Sequence, residues 1–278
     1  MATETKLAAT NNNGKKGRVM GARLRSWRPE LPDHRDRIFQ IGSSVLPEFI
    51  NPLGVAAGVR IHDQGMTSSC TGHAGSTLVE TALKLKGDAG QLSRLFPYYL
   101  AREMIGEAHL DMGAYNRDII KSFVNFGVPK ETNWRFTSAN ILKKPSATAV
   151  KAATAFKTQY DGRLSYEKCL GLDAVLQAIG IGCPVMFGFL AYDKIFDLTA
   201  KNDVYTMPQE GEYPIGGHAV VADGFNLTDR MITVANSWGT TWGKRGYFRM
   251  PFEWFTDPRR LVDDCWTLRV SESNVEGE

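Results

Sequence analysis

Apolar residues recur at three- and four-residue intervals along the first half of the chain. The clearest run begins near Cys70 and ends near Gly87, and this spacing predicts an amphipathic helix. Ser68 and Ser69, just before the run, suit a helix cap. A second helix is predicted at 97–107, because Pro97 suits a first helical position, and a third at 115–127 from the apolar spacing.

The second half of the chain has a different pattern. After one further helix predicted around 172–179, short runs rich in β-branched and aromatic residues alternate with turn residues. Helices first and strands later is typical of the α+β class, and two lobes of different type would meet at a cleft. The predicted strands are Val185–Leu190, His218–Phe225, Met231–Asn236, Gly246–Met250 and Cys265–Val270.

Composition and charge exclude several classes of protein. With 43% hydrophobic and 23% charged residues, the 278-residue chain is typical of a globular protein. Its net charge of +3 is too small to predict a nucleic-acid partner. The longest charge-free apolar stretch, residues 179–192, is too short and too glycine-rich to cross a bilayer, so no membrane partner is expected.

The N-terminal residues are basic and polar. Residues 1–30 hold seven Lys/Arg and two Glu, a net charge of +5, which we interpret as a solvated tail. Polar residues Asn11 to Lys16 stand where the apolar part of a signal peptide would have to lie. We therefore expect a cytoplasmic protein, or one exported by a signal-independent route.

Three separate segments carry candidate chemistry. Cys70 lies at the first turn of a predicted helix, where the helix dipole stabilises a thiolate. His218 opens an apolar strand after two glycines, and Asn236 ends another strand. Taken singly, each has a structural explanation as a small buried hydrophobe, a structural histidine or a turn residue. The other cysteines form no CxxC pair, so we assign them structural roles and expect no metal site: Cys169, Cys183 and Cys265.

Together the three segments point to nucleophilic catalysis. A thiol nucleophile needs a base, and the base needs an orienting partner; Cys70, His218 and Asn236 follow in that order, 148 and 18 residues apart. Gln64 lies six residues before the cysteine, and Asn-Ser-Trp-Gly begins at Asn236. With the Gly-His-Ala-Val segment starting at Gly217, residues 50–270 resemble the papain-like cysteine peptidases (peptidase C1), in particular the short bacterial, xylellain-like type.

The resemblance implies an architecture. It predicts an N-terminal extension, residues 1–48, that could be a short prosegment, and a peptidase domain, residues 49–278. Within that domain it implies a helical left lobe at about 65–145 and an antiparallel β-barrel-like right lobe at about 150–278. The active site would lie in the cleft between the lobes.

The resemblance also implies roles for particular residues. Cys70 and His218 would form a thiolate–imidazolium pair, oriented by Asn236, while Gln64 would stabilise the oxyanion. Trp238 would shield the His218–Asn236 hydrogen bond and, with four further residues, contact substrate. The four further residues are Gly113, Ala114, Tyr115 and Gly217. Three of these residues, Ala114, Tyr115 and Gly217, would shape the main specificity pocket and give it a preference for apolar side chains of the substrate. No cofactor is implied.

The chain departs from the family pattern beside the nucleophile. Thr67 replaces a cysteine that normally forms a disulfide, and Thr71 replaces a tryptophan. His73, one helical turn after Cys70, could touch the site, although packing is the simpler role.

The expected function is therefore a cysteine endopeptidase acting on peptides or proteins. The same thioester chemistry would support a transamidase or deamidase, and a catalytically silent peptide-binding protein is the alternative from another class. The segment Trp27–Asp36 resembles the N-terminal stretch of the bacterial type. We expect part of residues 1–45 either to dock on the chain's own cleft and restrain activity, or to support one lobe from outside.

Overall fold

The computed structural model describes residues 27–88 and 90–271; most of the basic tail lies outside these ranges. The helices are α1 (Leu53–Ala56), α2 (Cys70–Lys84), α3 (Leu95–Met104), α4 (Asn116–Phe126), α5 (Ala147–Gln159), α6 (Gly171–Gly180) and α7 (Glu253–Thr256). The strands are β1 (Phe49–Ile50), β2 (Leu164–Lys168), β3 (Val185–Ala191), β4 (Gly216–Asn226), β5 (Met231–Ala235), β6 (Tyr247–Pro251) and β7 (Val262–Val270).

The seven strands of residues 27–88 and 90–271 belong to one antiparallel sheet. The strand order is β2-β7-β3-β4-β5-β6, and β1 adds to β4. The α+β class and the antiparallel sheet are confirmed. The expectation of a barrel-like sheet needs correction, because β2 and β6 end an open path.

Alternating residues of the central strands point into two different cores. On β3, Val185, Phe187 and Phe189 belong to a core that includes α6, whereas Met186 belongs to the core of α2, α3 and α4. This follows from the two-residue period of a strand. Because both faces of the strand are covered, its sequence is apolar throughout instead of alternating.

Helix α2 lies at the centre of the molecule. It packs against α3, α4 and β4, and 13 of its 15 residues are buried. Ser69 occupies the cap position, but its side chain does not cap the helix. Its hydroxyl instead forms hydrogen bonds with Thr67 Oγ1 and His73 Nδ1, at 2.7 and 3.2 Å.

Every helix and strand predicted from the sequence is present, and of the unpredicted α-helices and strands that the structure describes, two have five or more residues. Helix α5 buries only Ala149 and Ala153, so its apolar pattern is weak. Strand β2 mixes polar and apolar residues and pairs with β7, 98 to 106 residues further along the chain.

Neither a membrane-spanning helix nor a disulfide is found within the described residues. No helix within them has the length and apolar character needed to span a bilayer. None of the four cysteines, all of which lie in these ranges, forms a disulfide.

Candidate active site

Cys70 is the first residue of α2, and β4 brings His218 beside it. The backbone N–H of Ala219, the residue after His218, donates a hydrogen bond to Cys70 Sγ at 3.3 Å. This contact joins residues 149 positions apart and fixes the start of α2 against β4. Cys70 and His218 have no solvent-exposed surface in this structure.

The ring of His218 is oriented by Asn236. The imidazole Nε2 lies 2.8 Å from Asn236 Oδ1. The same oxygen accepts the backbone N–H of Ser237 at 2.8 Å, so two donors converge on it. Strand register explains the contact: β4 and β5 pair at Val221 and Ala235, which places the residue after β5 beside the start of β4.

Trp238 covers the imidazole. Its ring centroid lies 5.0 Å from that of His218, with 32° between the ring planes. Phe196 stacks on the indole at 5.7 Å, and Trp242 meets it edge-on at 5.0 Å. His218 and Asn236 are both buried beneath these rings, and a hydrogen bond is electrostatically stronger in such a low-dielectric environment.

Gln64 connects the loop before α2 to the segment that follows Asn236. Its backbone N–H donates to Ser237 O at 2.9 Å, and its amide oxygen accepts the Ser237 hydroxyl at 2.6 Å. Its amide nitrogen donates to Thr67 O at 2.9 Å. The sequence did not single out Ser237, although it stands inside the Asn-Ser-Trp-Gly segment.

His73 is occupied by structural contacts. Its Nδ1 contacts the carbonyl oxygen of Ser69 at 3.0 Å, and its ring meets Phe136 edge-on at 4.6 Å. Complete burial, with a smaller contribution from the Arg94 charge, lowers the pKa of His73 to about 3. A neutral ring that packs against Phe136 fits the structural interpretation.

The other cysteines are poorly suited to be nucleophiles. Burial raises the pKa of Cys169 to about 12 and that of Cys265 well above its ordinary value. Burial also raises the pKa of Cys183. A thiol, not a thiolate, is therefore the stable form of all three.

The segment Gly113–Tyr115 is tied to the start of α2. Asp111 accepts the backbone N–H of Ser68 at 3.0 Å and the hydroxyl of Tyr98 at 2.7 Å. The Tyr98 oxygen in turn accepts the backbone N–H of Gly113 at 3.0 Å. Gly113 adopts a left-handed φ of 82°, which glycine allows without strain.

Residues 27–39, here called the strap, cross the molecule beside this site. The backbone N–H of Trp27 donates to Gly217 O, and that of Arg28 donates to Ala114 O, both at 3.4 Å. One of these partners precedes His218 and the other lies in the 113–115 segment. The strap therefore spans the two walls that the sequence assigned to substrate binding.

The Trp27 side chain fills a buried pocket. Its indole lies against Gly188, where a Cβ atom would come within 2.0 to 2.3 Å of three indole atoms. Its Nε1–H donates to Asp264 Oδ2 at 3.1 Å. Trp27 and Asp264 are 6% and 2% exposed. No sequence signal identified Asp264.

Glu30 anchors the next part of the strap. Its backbone N–H donates to Asp264 Oδ2 at 2.9 Å, and its carboxylate accepts the indole N–H of Trp266 at 3.2 Å. The same carboxylate lies 3.4 Å from the Arg117 guanidinium and 3.6 Å from the Lys168 ammonium. Burial, followed by the charge of Asp264, raises the pKa of Glu30 to about 7.

Comparison with known proteins gives a consistent result. Residues 55–254 match the family model described as papain family cysteine protease. An uncharacterized peptidase C1-like protein of Acanthamoeba polyphaga mimivirus is 34% identical over 215 residues, which cover 74% of this chain and 68% of that protein. The oryzain gamma chain of Oryza sativa is 28% identical over 131 residues, 45% of this chain and only 33% of that protein.

Solved structures extend the comparison. Xylellain, a cysteine protease from Xylella fastidiosa, superposes with a TM-score of 0.80 at 27% identity, covering 90% of this chain and 97% of that one. Procathepsin B S9 from Trypanosoma congolense shares the fold, with a TM-score of 0.69 at 14% identity over 93% of this chain and 90% of that one. The chain belongs to the papain family of cysteine proteases, and is therefore a hydrolase.

Proposed function

We propose that this chain is a cysteine endopeptidase whose nucleophile is Cys70. Two contacts together carry the proposal. Cys70 Sγ accepts the backbone N–H of Ala219, and the ring of the adjacent His218 contacts Asn236 Oδ1. A first-turn position on a 15-residue helix adds the stabilising field of the helix dipole. The raised pKa values of the other three thiols support the choice of Cys70.

The reaction follows from these positions. With the proton of His218 Nε2 directed at Asn236, Nδ1 is the nitrogen that exchanges a proton with Cys70. The thiolate attacks the peptide carbonyl carbon, and the imidazolium protonates the leaving amine as the C–N bond breaks. The neutral imidazole then takes a proton from water, whose oxygen attacks the thioester carbon. The C–S bond breaks, the carboxylic acid product leaves, and the thiolate–imidazolium pair is restored.

Gln64 is the proposed oxyanion donor. A primary amide carries two N–H groups, one of which donates to Thr67 O. We assign the second, together with the backbone N–H of Cys70, to the oxygen that becomes negative in the tetrahedral intermediate. The Ser237 hydroxyl holds the amide oxygen and so fixes the orientation of the whole group.

The strap is proposed to keep the enzyme latent. Its backbone hydrogen bonds to Gly217 and Ala114 use the groups on both cleft walls that an incoming peptide would need. The complete burial of Cys70 and His218 supports the same view. Because the strap is held by defined side chains, their removal should admit substrate.

The test uses the full chain with Trp27→Ala and Glu30→Ala, called the loosened chain. It is expected to hydrolyse a mixed peptide library, and the loosened chain that also carries Cys70→Ala is the matched blank. The unaltered chain should be less active than the loosened chain. Amine incorporation without hydrolysis would favour an acyl transferase instead. Peptide binding by a folded loosened chain that neither cleaves nor reacts at Cys70 would favour a binding protein.

A further inference from the structure

We propose that the pocket occupied by Trp27 is a substrate subsite selective for the tryptophan side chain, with Asp264 as its specificity-determining residue. The proposal rests on the proposed peptidase function and adds a substrate class to it. The pocket adjoins the catalytic strand directly, because Gly217 at its rim precedes His218.

The walls of the pocket are built for a large flat ring. Two glycines from neighbouring strands, Gly188 on β3 and Gly217 on β4, face the indole. A Cβ atom at either position would come within 3 Å of Trp27 atoms. The absence of side chains on these paired strands is therefore what makes room for the ring.

A β-bulge supplies the polar group at one side of this pocket. Strands β3 and β7 pair at Met186 with Trp266 and at Gly188 with Asp263, so two β7 residues oppose one on β3. Asp264 is one of these two and has a left-handed φ of 51°, which is uncommon for a residue other than glycine. Bulges re-aim side chains, and this one delivers a carboxylate to the indole N–H.

The strap supplies both donors to one oxygen of this carboxylate. Asp264 Oδ2 accepts the Trp27 indole N–H and the Glu30 backbone N–H, whereas Oδ1 lies 3.5 Å from the Lys168 ammonium. When the strap leaves, Oδ2 loses these two donors. A buried acceptor without a donor is costly, so a substrate that restores the hydrogen bond is favoured over one that does not.

The charges around the pocket favour a neutral donor over a cationic one. Lys168 already lies beside Asp264, and Arg117 contacts the ring of Trp266 nearby. Both cations also lose the Glu30 carboxylate when the strap leaves. An arginine or lysine side chain would bring a further positive charge beside Lys168, whereas an indole offers the N–H without the charge.

The experiment measures binding, so that it is independent of turnover. The protein is the full loosened chain carrying Cys70→Ala, and the ligands are alanine-rich peptides in which tryptophan is scanned through each position. At the best position, tryptophan is replaced in turn by 1-methyltryptophan, phenylalanine and arginine. The tryptophan peptide is expected to bind about tenfold more tightly than each, the effect of one hydrogen bond to a charged group.

Variants at β7 separate Asp264 from its neighbours. Asp264→Asn keeps a residue that tolerates a left-handed φ. It should bring the ratio of the affinities for the tryptophan and 1-methyltryptophan peptides toward one. Asp263→Asn, at the adjacent position, should leave the ratio unchanged. Equal affinity for the two peptides, or preference for arginine, would overturn the proposal even if the enzyme cleaves peptides. Loss of cleavage in the Cys70-containing loosened chain, with the ratio intact, would overturn the proposed function alone.

Discussion

Gln64 is held at both ends of its amide, which makes its proposed role directly testable. In the loosened chain, Gln64→Ala should lower kcat about a hundredfold, the usual effect of losing one oxyanion donor, with little change in KM. Ser237→Ala removes only the hydroxyl that anchors the amide and should cost less. Steady-state kinetics on one peptide substrate measures both variants. Near-normal kcat in Gln64→Ala would remove this residue from the mechanism.

Asp223 predicts a pH-dependent stability. It is fully buried, its Oδ2 accepts the Gly54 N–H at 3.0 Å, and burial raises its pKa from 3.8 to about 7. A carboxyl whose pKa is raised by folding resists ionisation in the folded state. The resulting loss of unfolding free energy is absent below the unfolded-state pKa of this carboxyl. It grows as pH rises from about 4 to 7 and is complete above that range.

Replacing Asp223 with Asn should therefore stabilise the protein at alkaline pH more than at acidic pH. Urea denaturation at about pH 5 and about pH 8 measures the difference in unfolding free energy between the variant and the unaltered chain. The exposed Asp229→Asn is the matched control and should leave the pH dependence as it is. The same pH dependence with and without the Asp223 carboxyl would contradict this assignment.

At the residue scale, chain order and spacing indicate part of the candidate site. The Cys70, His218 and Asn236 segments could be identified because each lies at a recognisable element boundary. Asp264 could not, since its importance depends on a bulge that forms only when β3 and β7 pair. Ser237 was likewise invisible, because its partner Gln64 is 173 residues away in the sequence.

At the scale of single elements, the space over β3 is a sensitive point. A methyl group at Gly188 would come within 2.0 Å of Trp27 Cε2. Gly188→Ala in the otherwise unaltered chain should therefore displace the strap and raise peptidase activity. Gly42→Ala, where the added Cβ meets nothing closer than 3.8 Å, is the control and should have no effect.

The same substitution should lose its effect when the indole is gone. In a chain that already carries Trp27→Ala, Gly188→Ala should add no further activity, because the clash no longer exists. Rates on one fluorogenic peptide compare the four combinations. An equal gain from Gly188→Ala in both backgrounds would show that the methyl group acts elsewhere.

The strength of the local pattern decided which elements could be predicted. Helix α4 shows strong amphipathicity, with Ile119, Ile120 and Phe123 buried on one face. Helix α5 has only two buried alanines, so its burial depends on neighbours that the local sequence does not reveal. The closure of a sheet is similarly non-local, which is why the barrel-like expectation was wrong.

At the scale of the whole molecule, strap docking should depend on pH through Glu30. The docked pKa of about 7 lies above the ordinary 4.5, so docking favours the protonated carboxyl. Docking should weaken as pH rises from about 4.5 through 7. Asp264 opposes ionisation of Glu30, while the facing cations Arg117 and Lys168 favour it without cancelling the effect of burial.

A peptide of the strap, residues 27–39, labelled at its C-terminus and added to the loosened chain, measures this dependence by fluorescence anisotropy. Its affinity should fall about tenfold or more between about pH 5 and pH 8. A matched peptide with Glu30→Gln should lose affinity much less. Tighter binding of the unaltered peptide at alkaline pH would contradict the proposed protonation.

The course of the strap was only partly predictable. The sequence indicated that residues near Trp27–Asp36 are distinctive, but left open whether they dock on the cleft or outside it. That choice depends on hydrogen bonds to Gly217 and Ala114, about 190 and 90 residues away in the sequence. Such contacts have no local signature.

Ionisation of Cys70 through its pairing with His218 is measured by the pH dependence of Cys70 alkylation by iodoacetamide in the loosened chain, followed by peptide mass spectrometry. An ordinary thiol has a pKa of about 8.5, so its rate falls tenfold per pH unit below that value. The alkylation rate should stay nearly level down to about pH 6, and His218→Asn should return it to ordinary thiol behaviour. A tenfold fall per pH unit below about pH 8, the same with and without His218, would contradict the pairing of Cys70 with His218.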